Sequence, residues 1–284
     1  MQYFDLGIIP VSKNLSAVFL ENPNLYMLPL RLNVGGKSYR SGIDISTEEV
    51  LRFMESGDVP KTSLPSPDDV EGIFQSMRDK GIKRAVFVLI SSALSGTLNM
   101  VKVVSEQHKS EFDIAIYDTK ILSMGLGYQV LTALRLIKDG CPFENILEKL
   151  DELRPNVDGF FYIPTLKYLS MGGRIGGAAK YLGNLMNIKP IIACDAEGKY
   201  YPRHICIGAK RIMAMARDDC ARFINNRPAE VTVLHAGAEG ECEKLRGLIA
   251  EACPHISVYT RQLCPALSVH VGRGMLAVCT RVTE

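Results

Sequence analysis

Apolar positions in the first half of the chain follow two alternating rhythms. Continuous or β-branched apolar runs at residues 7–10, 27–32, 84–90 and 114–117 read as short strands. Between them, apolar residues recur at helical spacing: Val50, Leu51 and Met54, then Val70, Ile73, Phe74 and Met77, then residues 98–104 and 121–138. The start and stop signals agree. Ser46 with Glu49 forms a capping box, Ser66 followed by Pro67 and two aspartates opens a helix, and Gly140 and Pro142 close one. Gly35-Gly36 predicts a hairpin turn. Strands alternating with helices predict crossover connections, a parallel sheet, and ligands at the carboxyl ends of its strands.

From Asp158 the rhythm changes. A strand over 160–163 leads into a short helix, 165–171, ended by Gly172-Gly173. Residues 189–194 and Tyr200-Tyr201, joined at Glu197-Gly198, read as an antiparallel hairpin. A helix over 210–223 turns Ile212, Met215, Ala216 and Ala221 inward, and strand, helix and strand follow at 231–234, 241–252 and 256–259. Ser268 to Gly274 and a last apolar strand close the chain. The reading is an α/β domain, 1–157, followed by an α+β domain, 158–284, with no internal repeat or low-complexity segment.

Composition narrows the function. The 284 residues are 47% hydrophobic and 23% charged with a net charge of +2, which offers no basic field for nucleic acid and no polybasic tail for a membrane surface. No apolar run reaches the ~20 residues that span a bilayer. Asp5 stands where an export signal would carry positive charge, so none is expected. The eight cysteines form no C-x-x-C pair, which argues against a metal site and for reduced, mostly buried thiols in a cytoplasmic protein.

Candidate chemistry centres on Ser91-Ser92-Ala93-Leu94-Ser95-Gly96-Thr97, where a buried strand turns into a helix. Free backbone N–H groups and the helix dipole favour an anionic head group there, the hydroxyls of Ser91, Ser92, Ser95 and Thr97 add donors, and Gly96 allows close approach. A plain helix cap is the alternative. Thr62 and Ser63 are expected on a Pro-stiffened loop that does not need their hydroxyls. His108 and His255, in polar contexts, are expected at the surface, and His235 at a strand end.

Six collinear blocks cover nearly the whole chain: Lys61-Thr62-Ser63-x-Pro65, the Ser91–Thr97 turn, Asp118 with Ser123-x-Gly125-x-Gly127, Gly172-Gly173-Arg174-Ile175, residues 183–190 beginning Gly183-Asn184, and His270-x-Gly272-x-Gly274. Together they resemble the DegV family, bacterial fatty-acid-binding proteins that present fatty acids to a fatty acid kinase. The resemblance implies a three-layer α/β domain with a mostly parallel sheet, an α+β domain with a mixed sheet, and a long-chain fatty acid in the cleft between them. It implies that Thr62 and Ser95 hold the carboxylate and that His270 joins their network. Ser63, Ser92, Gly96 and Arg174 would be secondary head-group contacts. It further implies no chemistry of its own, no cofactor, transient contact with a membrane, and a place as acyl carrier in phospholipid metabolism. Two departures stand out. The family's Thr-Asp-Ser after the first strand is Pro10-Val11-Ser12 here, and Ile207 stands where an arginine for the kinase is expected.

Two other readings remain open. A serine hydrolase would use Ser95 and His270, although no G-x-S-x-G elbow surrounds Ser95. A phosphate-binding enzyme would use the same turn as an anion nest, although no P-loop or G-x-G-x-x-G follows a strand. The 11 methionines suit an adaptable apolar tunnel or ordinary core packing.

Overall fold

A computed structural model describes residues 6–9, 25–181, 189–206 and 209–283. In the first half, β1 (Leu6–Ile9), β5 (Arg84–Leu89) and β6 (Asp113–Asp118) form a three-stranded parallel sheet with β5 in the middle. Residues 85–89 are all fully buried, as a continuous apolar run demands when both faces are covered. Helices α2 (Pro67–Asp79) and α3 (Thr97–Glu106) pack together, with α3 against β6 and Phe74 of α2 5.9 Å from Phe87 of β5. Helix α4 (Ser123–Lys138) packs against β1 and β5. The expected parallel α/β unit is present.

Two short strands, β2 (Arg31–Val34) and β3 (Lys37–Arg40), flank Gly35 and Gly36, whose φ values of +57° and +73° suit the turn foreseen there. The strand expected at 27–32 instead starts at Arg31. Pro29 cannot donate to a ladder, and Leu28 and Leu30 are buried from irregular chain. Helix α1 (Thr47–Glu55) has the expected capping box of Ser46 and Glu49. β4 (Lys61–Ser63) joins β2 and β3 in a small antiparallel sheet, so Thr62 and Ser63 sit on a strand rather than a free loop. Ser66 caps α2 in a second box, with Asp69, which also takes a forked ion pair from Arg31 at 2.6 Å. That pair ties β2 to the start of α2.

After α5 (Ile146–Leu153), the second half contributes a six-stranded mixed sheet. It comprises β7 (Val157–Tyr162), β8 (Lys189–Cys194), β9 (Tyr200–Cys206), β10 (Ala229–Ala236), β11 (Ser257–Gln262) and β12 (Met275–Val282), in the order β11-β10-β12-β7-β8-β9. Only β10 and β11 run parallel. Helices α7 (Ala209–Ile224) and α8 (Glu239–Ala252) bury one apolar cluster against it, through Ile212, Ala216, Cys220 and Ile249. Met215 and Ala221 are only partly buried.

The other face of this sheet meets α4, which therefore lies between the two large sheets. That explains its apolar circumference, buried at every position from Ser123 to Leu131. Tyr128 of α4 hydrogen-bonds Thr232 of β10 at 2.9 Å, both buried. The larger cluster accordingly mixes the halves, joining Phe87 and Leu126 to Phe161, Leu234 and Val269.

Helix α6 (Lys167–Met171) matches the short helix expected before Gly172. Residues 265–271, not read as a helix from the sequence, form α9 (Pro265–Val271), opened by proline at its first turn and packed on α1, α6 and β4. The expected start of α4 at Ile121 also moves, to Ser123. Lys120 and Ser123 adopt φ near +57°, and Thr119 Oγ1 bonds the Ile121 backbone, holding that residue out of the helix. His108 is buried rather than at the surface. Its ring lies 4.2 Å from Phe74 and its Nε2 pairs with Glu71 at 2.9 Å. His255 is exposed. Ser12, residues 183–188 and Ile207 lie outside the described residues.

Candidate functional site

The head-group candidates come from three elements that border one cavity. β4 offers Thr62, which is in register with the fully buried Leu32 of β2. The turn between β5 and α3 offers Ser95. The last turn of α9 offers His270. Thr62, Ser95 and His270 all line one cavity of about 280 Å³. Ser63, exposed and bonded to Asn33, and Arg174 also line it. Ser92 and Gly96 instead border a neighbouring open groove of about 690 Å³, which shares Ser95 and Arg174 with the cavity.

Within the Ser91–Thr97 turn the hydroxyls divide their work. Ser91 Oγ donates to the Gly198 carbonyl at 2.9 Å, pinning the turn to the β8–β9 hairpin. Ser92 donates to Asp118 at 2.5 Å, and Asp118 also accepts from the Ser92 and Lys120 N–H groups and the Lys120 ammonium. Burial works against the charge on Asp118, but these donors outweigh it and lower its pKa. Asp118 is thus a brace for the turn. Ser95 Oγ lies 2.8 Å from the Thr97 hydroxyl and accepts from the Thr97 N–H. With buried Thr97 as donor, the Ser95 proton is left for a ligand.

His270 Nε2 lies 2.9 Å from Thr62 Oγ1. Its Nδ1 is sealed from solvent with no protein partner among the described residues, against Gly172, where an added Cβ would come within 2.3 Å of that nitrogen. A sealed N–H without an acceptor is costlier than a sealed lone pair, so the proton belongs on Nε2. His270 then donates to Thr62, and the Thr62 hydroxyl donates onward. Burial first, and the Arg174 guanidinium second, push the imidazole pKa down to about 4, so the ring is neutral at pH 7. Arg174 crosses the mouth, donating from Nη1 to the Gly172 carbonyl at 2.6 Å and from Nε to the Leu94 carbonyl at 3.3 Å.

This geometry disfavours the hydrolase arrangement. The hydrogen bond of His270 goes to Thr62 and not to Ser95, and among the described residues no carboxylate orients Nδ1. Among the described residues no cluster of metal-ligating side chains occurs, and no helix is long and apolar enough to cross a membrane.

Much of the remaining lining is apolar: Leu94, Ile121, Phe161 and Tyr200, together with Gly159, Cys194 and Cys279. Met275 is the methionine that lines the cavity among the described residues; Met54, Met77 and Met124 are core. Sequence reasoning passed over Ile121, Gly159 and the two cysteines as wall residues. The one available signal was Gly159 itself, immediately ahead of the strand read at 160–163, since a glycine in a strand often marks a close approach.

The family model described as "Uncharacterised protein, DegV family" matches residues 11–282. The chain belongs to the DegV family. A DegV domain-containing protein of Clostridium acetobutylicum is 34% identical over 259 residues, 91% of this chain and 92% of that one. Among solved structures, a DegV family protein from Thermus thermophilus, described by its fatty acid binding, superposes with a TM-score of 0.89 at 25% identity, over 98% of this chain and 100% of that one. A fatty acid binding DegV family protein from Streptococcus agalactiae has a TM-score of 0.91 at 23% identity, over 99% and 100% of the two chains, and so shares the DegV fold.

Proposed function

We propose that the protein binds a long-chain fatty acid, with the carboxylate held by Thr62 and Ser95, His270 supporting Thr62, and the acyl tail in the apolar cavity. The observation that carries this reading is the meeting of two uncharged hydroxyl donors and a neutral imidazole at one apolar cavity. The Thermus thermophilus relative, described by its fatty acid binding, supports it. A sixteen-carbon acid buries ~14 methylenes at ~0.8 kcal/mol each, on the order of 11 kcal/mol before association costs. Each hydrogen bond to the charged head adds ~1.5–3 kcal/mol. The tail sets affinity, and the hydroxyls set register and keep the carboxylate from being buried unpaired.

Uncharged donors also leave the carboxylate nucleophilic, as handover to a fatty acid kinase would require. In this proposal the division at 157/158 separates the head-group lobe from the lobe that closes over the tail. Transient contact with a membrane delivers the lipid to a cytoplasmic protein. The test is organic extraction and mass analysis of protein purified from cells. A stoichiometric fatty acid is expected; a nucleotide or sugar phosphate would favour the phosphate-binding reading instead.

A further inference from the structure

Tyr200 gives the cavity more than an apolar ring. It is the first residue of β9 and the register partner of Cys194, so the two side chains share the sheet face that borders the cavity. The ring is largely buried and meets Phe161 edge-on at 5.2 Å. Its hydroxyl has no hydrogen-bond partner among the described residues, and it is not sealed from solvent as His270 Nδ1 is. A buried tyrosine ordinarily gives its O–H a protein partner. Tyr200 holds that donor in reserve.

The fold sets this residue beside the head-group turn. The Gly198 carbonyl, two residues before Tyr200, accepts from Ser91 Oγ at 2.9 Å. Gly198 also has no room for a side chain, since a Cβ there would lie 3.0 Å from Lys120 Cα and run into Ser91 Oγ. The β8–β9 turn is therefore docked directly on the turn that carries Ser95. Behind Tyr200 the chain is equally close, because a Cβ at Gly176 would come 2.8 Å from the Tyr200 carbonyl oxygen. Leu94, Ser95, Arg174 and Tyr200 are the described residues that border both the cavity and the neighbouring groove. The positive charge of Arg174 acts on both Tyr200 and His270.

A carboxylate has a use for such a donor. Its two oxygens offer about four acceptor positions, and Thr62 and Ser95 would fill two. Burial lifts the phenol pKa well above its usual range, so the hydroxyl keeps its proton. We propose that Tyr200 is a third hydroxyl donor to the carboxylate, reaching it from the β8–β9 hairpin. This rests on the fatty-acid reading above.

The test compares wild type with Tyr200→Phe, which keeps the ring against Phe161 and removes only the oxygen. Both are stripped of lipid and titrated with hexadecanoic acid and with hexadecanol, which has the same chain and no charge. Tyr200→Phe should weaken binding of the acid on the order of tenfold, as for one hydrogen bond to a charged acceptor, and of the alcohol by less than about threefold. The lipid-free melting temperature should not fall, because no protein group loses a partner. Unchanged acid affinity in Tyr200→Phe, or an equal loss for acid and alcohol, overturns the third donor. A lower lipid-free melting temperature overturns it too, by assigning the hydroxyl to the fold. Wild type that binds no acid overturns instead the reading beneath it.

Discussion

Thr62 Oγ1 and His270 Nε2 meet at 2.9 Å although 208 residues separate them in the chain. The pairing exists because α9 lies across β4 and α1. It turns an ordinary threonine into an oriented donor: His270 donates to Thr62, and Thr62 donates into the cavity.

The hydroxyls are expected to act first on retention of the ligand. Thr62 and Ser95 are only partly buried. Thr62→Ala and Ser95→Ala should each weaken fatty acid binding by roughly 10- to 100-fold, the value of one hydrogen bond to a charged acceptor; Ser95→Ala should leave the melting temperature nearly unchanged, whereas Thr62→Ala also leaves the His270 Nε2–H without its acceptor and should cost about 1–2 kcal/mol of stability. Titration with a fluorescent fatty acid measures this, and unchanged affinity in the double variant would remove both residues from the head-group site.

His270 makes stability depend on pH in a defined window. Its folded pKa, about 4, lies below the ordinary 6.5, so the unfolded chain binds more protons between those values. Stability is full above pH 6.5 and falls as the pH drops toward 4, by about 3 kcal/mol from this group. Urea unfolding of lipid-free protein at pH 7 and pH 4.5 should show that loss, and His270→Gln should show a smaller one. A bound carboxylate favours the imidazolium, so the filled protein should titrate this ring at higher pH than the empty one, as read by NMR.

Arg174 bridges the Gly172 and Leu94 carbonyls across the cavity mouth. Because the side chain is exposed, Arg174→Ala should leave stability nearly unchanged. It should speed fatty acid exchange about three- to tenfold by releasing the two sides of the mouth, the equivalent of ~1 kcal/mol or a little more. Stopped-flow transfer to vesicles measures the rate. An unchanged rate would make the bridge incidental.

Tyr128 and Thr232 join α4 to the six-stranded sheet through one buried hydrogen bond. Tyr128→Phe should cost about 1–2 kcal/mol, because the Thr232 hydroxyl is left buried without its partner. Chemical denaturation at pH 7 checks this value.

Local chemistry made much of the architecture legible in the sequence. The capping box at Ser46, the cap at Ser66, the Gly35-Gly36 turn and the run from Ala85 to Leu89 are each specified by neighbours within a few positions, so they survive in any fold that keeps them. The blocks around Thr62, Ser95 and His270 were legible in the same way, as candidates. Tertiary structure alone decided their relations. It placed Thr62 on a strand, formed α9 under His270, buried His108 beneath Glu71, and docked the Gly198 turn on Ser91. These outcomes depend on which surfaces meet across the chain, and a hydrogen bond or a methyl contact between distant residues leaves no periodicity in the sequence to read.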